Sequence, residues 1–165
     1  MAEIKPIGTD PTGYEYMKRA VKALLNDYPG LDGQTIYFEE LGEEEGIAFS
    51  ADSGALVMSE RRSITDHVAQ TCQFPFLVVY RTTATREFEK LNVSAFLDSL
   101  GKWLCKEPVE IDGESYRLSA YPSISDGRKI TRVTRNNSYS TVPNANNSQD
   151  WVLPVSVQYT YEFDL

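Results

Sequence analysis

Apolar residues recur at steps of three and four from Tyr14 through Met17, Val21, Leu24 and Leu25 to Tyr28, with Glu15, Lys18, Arg19 and Lys22 between them. On a helix that spacing gathers the apolar side chains into one stripe and leaves the charges in water. Asp10-Pro11 suits the start, since a carboxylate accepts from the free amides of the first turn and proline fits the first helical position. Pro29-Gly30 ends the element. A second stripe, narrower, joins Val93, Phe96, Leu97, Leu100 and Leu104, with Trp103 beside it. Asn92 is placed to cap this helix and Pro108 closes it, which leaves residues 84–91 as an exposed connector.

The rest of the chain has period two. Residues 34–41 alternate, with Ile36 and Phe38 on one face, and Gly42 to Gly46 then turns the chain so that residues 47–50 return antiparallel. Asp52-Ser53-Gly54 is a further turn before a strand over residues 55–60, and residues 61–73 show no clear period. Residues 73–83 (QFPFLVVYRTT) are β-branched and aromatic on both faces, the mark of a central strand. Residues 116–124 read as a strand joined through Asp126-Gly127 to a partner over residues 129–135. The clearest alternation comes last, where Trp151, Leu153, Val155, Val157, Tyr159, Tyr161 and Phe163 occupy every odd position. Thirteen residues at period two predict a long half-buried strand. Runs of strands interrupted by two helices, without βαβ alternation, give an α+β fold: a mostly antiparallel sheet carrying two main helices. A chain of 165 residues suits a single domain over 1–165.

Between the last two strands lies NNSYSTVPNANNSQD, residues 136–150. A segment of this composition builds no core of its own, so it is expected to be mobile in an isolated subunit and ordered in an assembly. No apolar run reaches the ~18 residues of a membrane span, and the first residues lack a signal peptide's apolar segment. The expected location is a cytoplasm, where Cys72 and Cys105 serve as small buried hydrophobes.

The net charge of −8 is uneven. Residues 1–60 hold twelve Asp/Glu against four Lys/Arg, whereas residues 61–165 hold twelve of each. A pI near 4.7 argues against a nucleic-acid clamp, which displaces counterions with cationic surface. Two clusters stand out. Glu43, Glu44 and Glu45 sit between glycines at a turn, and Arg128, Lys129, Arg132 and Arg135 form a basic run with no acid among them. On a regular strand Arg128 and Arg132 would share one face, with Lys129 and Arg135 on the other. Each cluster reads first as solvated charge, a turn or a guarded sheet edge. The alternative for each is a contact surface, the acidic tip of one copy against the basic strand of the next.

Chemistry is harder to find. His67 is the one histidine, beside Asp66 and five residues before Cys72. A thiol nucleophile needs a base within hydrogen-bond reach and a group that orients the base. Adjacent strand residues point to opposite faces, so Asp66 is poorly placed for that work. No phosphate-binding glycine loop and no metal-ligand spacing occurs, so no catalytic, cofactor-binding or metal residue is assigned, and no cofactor or enzyme activity is expected.

Several motifs in order resemble a known family. They are the first helix ending in Tyr28-Pro29-Gly30-Leu31, the Glu-rich turn, Phe74-Pro75-Phe76 running into Val79-Tyr80-Arg81, the segment FLDSLGKWL at 96–104, and the closing VQYTYEFDL at 157–165. Together they resemble the tail terminator proteins of phages and prophages of Gram-positive bacteria, also labelled minor capsid or tail-completion proteins. The resemblance implies a ring, six copies in the usual case, that caps the tail tube, ends tail polymerisation and presents a head-joining surface. The partners it implies are the protein itself, the tail tube protein, and a head connector or neck protein, or a collar in a headless tail-like bacteriocin. DNA would only pass through the lumen, and the protein would move from host cytoplasm to virion tail. Two other readings stay open: another connector or tube component of the same machine, and a small cytoplasmic ligand-binding or enzymatic α+β domain.

Overall fold

The computed structural model describes residues 5–43, 45–83 and 86–165. Its elements are β1 (Gly8–Thr9), α1 (Pro11–Asn26), β2 (Ile36–Phe38), β3 (Gly46–Ala51), β4 (Leu56–Arg62), β5 (His67–Thr82), α2 (Glu87–Leu104), β6 (Val109–Ile111), β7 (Glu114–Tyr116), β8 (Arg128–Arg135), β9 (Tyr139–Ser140) and β10 (Gln149–Asp164). The fold is α+β and mostly antiparallel, as the patterns indicate. Asp10 caps α1, its Oδ1 accepting from Gly13 N–H at 3.0 Å.

Two strands of sixteen residues, β5 and β10, form the spine, paired from Gln149↔Thr82 to Asp164↔His67. On the free side of β5, its upper half pairs β3 and its lower half β4. The break between β3 and β4 falls at Asp52-Ser53-Gly54, where Ser53 and Gly54 have φ of 76° and 70°. On the free side of β10 lie β8 and the short β9.

One face of the sheet carries both helices. Met17, Val21, Leu24 and Leu25 of α1 and Leu97, Leu100, Trp103 and Leu104 of α2 pack with Phe74, Phe76 and Val78 of β5 and Leu153, Val155, Val157 and Tyr159 of β10. Tyr28 locks the two helices together by edge contacts with Phe96 and Trp103 at 5.7 and 5.5 Å. The alternation read in residues 151–163 therefore has its odd residues on the core face, as expected. On β5 the opposite face, Pro75, Leu77 and Val79, is half-buried and carries no helix.

Several local expectations fail, each for a physical reason. The return strand over 47–50 is parallel, not antiparallel, to β2, with Ile36↔Ile47 and Phe38↔Phe49. Glu39 at φ 52° and Gly46 at φ 150° let a short connection carry the chain back to the start of β2. Helix α2 begins at Glu87, so Asn92 lies inside it, and residues 87–91 are helix rather than connector. Glu87 and Glu89 in the first turn, favoured by the helix dipole, replace a side-chain cap. Residues 117–124 form no strand. Tyr116 ends a small separate hairpin of β6 and β7 turned on Asp112-Gly113, φ 52° and 81°. The basic strand β8 consequently pairs β10 instead.

Residues 136–150 make several bonds within the single chain. Tyr139–Ser140 pairs Val152 and Trp151, Thr141 N–H reaches Asp150 O at 2.9 Å, and Ser148 is fully buried with its hydroxyl 2.6 Å from Asn146 Oδ1. Asn and Ser side chains here supply local bonds that a core would otherwise provide.

Candidate assembly interface

The basic run is split by packing. A bulge between Gln158 and Tyr159 pairs Arg132 with Gln158 and Ile130 with Tyr159, so Thr131 is an extra residue. Lys129 and Arg132 thereby fall on the outer, exposed side together, while Arg128 and Arg135 turn toward the helices. The regular-strand assignment of faces is overturned by that one residue.

Arg128 is not a surface contact. Its side chain is 2% exposed and forks onto Asp10, with Nη2–Oδ1 at 2.7 Å and Nε–Oδ2 at 3.0 Å. The guanidinium lies 3.7 Å from the centre of the Tyr161 ring and 3.1 Å from Asp126 Oδ2, and Tyr159 O–H donates to Asp10 Oδ2 at 2.8 Å. Burial opposes ionisation of Asp10, but the bonds from Arg128, Tyr159 and Gly13 outweigh it and hold the carboxyl below its ordinary value. This network fixes the start of α1 to β8 and β10. Arg135 is also partly engaged, 3.7 Å from Glu107.

What remains as basic surface is Lys129 and Arg132 with Lys106, which follows α2 and lines the same outer edge of β8. The sequence does not show that Lys106 joins them, because the contact depends on where residues 105–124 pass. The acidic tip is placed at the far end of β5. Glu43 and Glu45 are exposed, the Glu43 carbonyl accepts from Asn146 Nδ2 at 2.8 Å, and Glu45 accepts from the Thr83 hydroxyl at 3.3 Å. Glu44 lies outside the described residues. Asp32 and Glu89 line the same hollow as Glu45, giving an acidic surface broader than the sequence cluster. In one copy, then, the acidic tip and the basic edge are separate surfaces.

Near the other end of β5, His67 faces carboxylates that sequence spacing does not reveal. Its Nδ1 is 2.8 Å from Asp164 and its Nε2 3.6 Å from Glu162, both on the neighbouring strand. These acids raise its pKa. Cys72 projects to the opposite face of β5, fully buried, and burial pushes its thiol up to about 11. A thiol so protonated and so far from the imidazole is a core residue. Burial raises Cys105 as well. Among the described residues no group of three His, Cys, Asp or Glu is placed to hold a metal ion, and no helix is long and apolar enough to cross a membrane. Compared with models of known protein families and with curated proteins, the chain matches none.

Proposed function

We propose that this chain is a structural phage tail protein of the terminator type, which closes into a ring on the end of the tail tube, stops its growth and offers a joining surface to the head connector. The observation that carries the reading is the separation of opposite charge: an acidic tip at Glu43 and Glu45, and a basic edge at Lys106, Lys129 and Arg132, on a body whose helices cover only one sheet face. Such a subunit can meet its neighbour head to tail, and a head-to-tail contact closes when its rotation divides the circle. The motif order that resembles tail terminators lies largely on the elements that build this body. Exposed charge pairs contribute only about 0.2–1 kcal/mol each, so here they set register and partner choice while apolar contacts hold the ring.

The test combines light scattering on the purified protein with tail length in a strain lacking it. A closed oligomer that does not grow, together with overlong tails in the deletion strain, supports the reading. Growth into open tubes points instead to a tube subunit. A lasting monomer in the presence of tube ends, or tails of normal length without the protein, refutes it. Lys129→Glu combined with Arg132→Glu should weaken ring formation or docking while leaving the melting temperature unchanged.

A further inference from the structure

The sheet outruns the helices. Beyond the level of Arg128 and Tyr161, where β8 stops pairing β10, the ends of β4, β5 and β10 continue as a three-stranded arm, with Arg62↔Val68 and Asp164↔His67 near its end. From Tyr161 to Asp164 this is about 10 Å of strand at ~3.3 Å per residue. The hairpin at its tip is stiff: Ser63 N–H donates to His67 O at 2.9 Å, His67 N–H to Ser63 Oγ at 3.1 Å, and Leu165 N–H to Asp66 O at 3.0 Å. On this tip Ile64 is 103% exposed, with Leu165 beside the same turn 67% exposed. A lone exposed apolar residue is ordinary. Two of them on a pre-ordered tip that projects beyond the helices make a knob.

The same chain holds a shallow, open concavity. Ala23 of α1 and Leu31 form an apolar floor in a concavity of about 540 Å³, with Arg19 and Lys22 exposed at its rim. Asn26 fixes the floor by bonding the backbone of Ile36 at 2.9 and 3.0 Å. The arm carries an acidic excess, with Glu60, Asp66, Glu162 and Asp164 against Arg61, Arg62 and His67, the last already held by Glu162 and Asp164. Its own subunit cannot supply the contact. The first residue of α1 lies near the base of the arm, since Asp10 bonds Arg128 and Tyr159, whereas Ala23 of the hollow lies twelve residues on, about 18 Å away at 1.5 Å each.

We propose that the Ile64 tip of one copy seats in the Ala23–Leu31 hollow of the next, with Arg19 and Lys22 meeting the acids of the arm. Knob and hollow lie toward opposite ends of the molecule, so the contact is head to tail, and it rests on the ring reading above only for its closure.

Two differently tagged variants, Ile64→Cys and Ala23→Cys, are mixed under mild oxidation. The disulfide carrying both tags should exceed either same-variant dimer at least tenfold, since only paired positions bring Cα atoms within about 7 Å. Ile64→Asp should weaken self-association at least tenfold, with the melting temperature unchanged because the side chain touches nothing in its own subunit. No excess of the mixed dimer, or rings of Ile64→Asp as stable as wild type, overturns the knob while leaving the terminator reading intact. Association through the cross-linked pair into open filaments supports the knob and sinks the terminator.

Discussion

Removing the guanidinium from Arg128 should reveal how much of the fold hangs on one buried ion pair. The side chains of Arg128 and Asp10 are 2% and 7% exposed, so solvent screens neither. Arg128→Ala deletes two short charge-assisted bonds and leaves the Asp10 carboxylate with only Tyr159 O–H and Gly13 N–H. Leaving one buried charge unpaired costs about 3–5 kcal/mol, a large share of the ~5–15 kcal/mol that holds a domain. For a chain of this length that is a fall of about 6–20 °C in melting temperature. Asp10→Ser combined with Arg128→Met removes both charges, keeps a capping hydroxyl on α1 and refills the volume. The double variant should lie within about 2 kcal/mol of wild type, because exchanging a whole buried pair is far cheaper than orphaning half of it. Urea unfolding of the two singles and the double gives the coupling directly. A loss below about 1 kcal/mol for Arg128→Ala, or a double variant as unstable as the sum of its singles, refutes the assignment.

Other outcomes follow from single contacts. Gly13→Ala improves helix propensity by about 1 kcal/mol yet should destabilise, by ~1–3 kcal/mol net in thermal melts, because a Cβ there drives into the Asp10 carboxylate and meets Tyr159 Oη at 2.7 Å. Val157→Asp puts a charge at a fully buried site facing both helices, and at several kcal/mol it should leave the protein in the insoluble fraction. The His67 imidazole should titrate in NMR above its ordinary 6.5 and return toward it in Asp164→Asn. Since its folded pKa is the raised one, its stabilisation is complete below the unfolded value and is lost as pH rises through the folded value. Hydrogen exchange should find Thr141 and Asn144 amides protected in the isolated chain, through Asp150 O and Ser148 O; rapid exchange there would mean that residues 136–150 need a partner after all.

Where the sequence reads well, one residue type and one spacing decide the outcome. The α1 stripe needs only period 3.6 and its Asp10-Pro11 start, and the odd positions of β10 need only a pleat with one face on the core. The failures have a common cause in long-range pairing. A regular strand was the only available reading of residues 128–135, and the extra residue at Thr131 exists only against Gln158 and Tyr159 of β10. Asp10 and Arg128 are 118 positions apart, so no local pattern joins them. Asp112-Gly113, by contrast, was a legible hairpin turn, overshadowed by Asp126-Gly127, and Ser63 to Asp66 is a polar turn interrupted by the one residue, Ile64, that solvent should not favour.

Sheet edges decide how copies can meet. An unguarded edge strand invites another strand to add, and strand addition continues without limit. On β8 that route is obstructed. Tyr121 lies beside the edge and donates its hydroxyl to Leu104 O at 2.9 Å, while the Thr131 bulge breaks the ladder and Lys129 and Arg132 charge its outer side. At the opposite edge, β1 covers β4 only at Leu56 and Val57, and the uncovered stretch beyond is Ser59, Glu60, Arg61 and Arg62, mostly charged. With the β8 and β4 edges guarded, a copy that approached either of them would be recognised by side chains presented at fixed angles, such as a tip entering a hollow. Contacts of that kind fix the rotation between neighbours, and a fixed rotation is what allows a ring to close at one number of subunits instead of growing into a fibre.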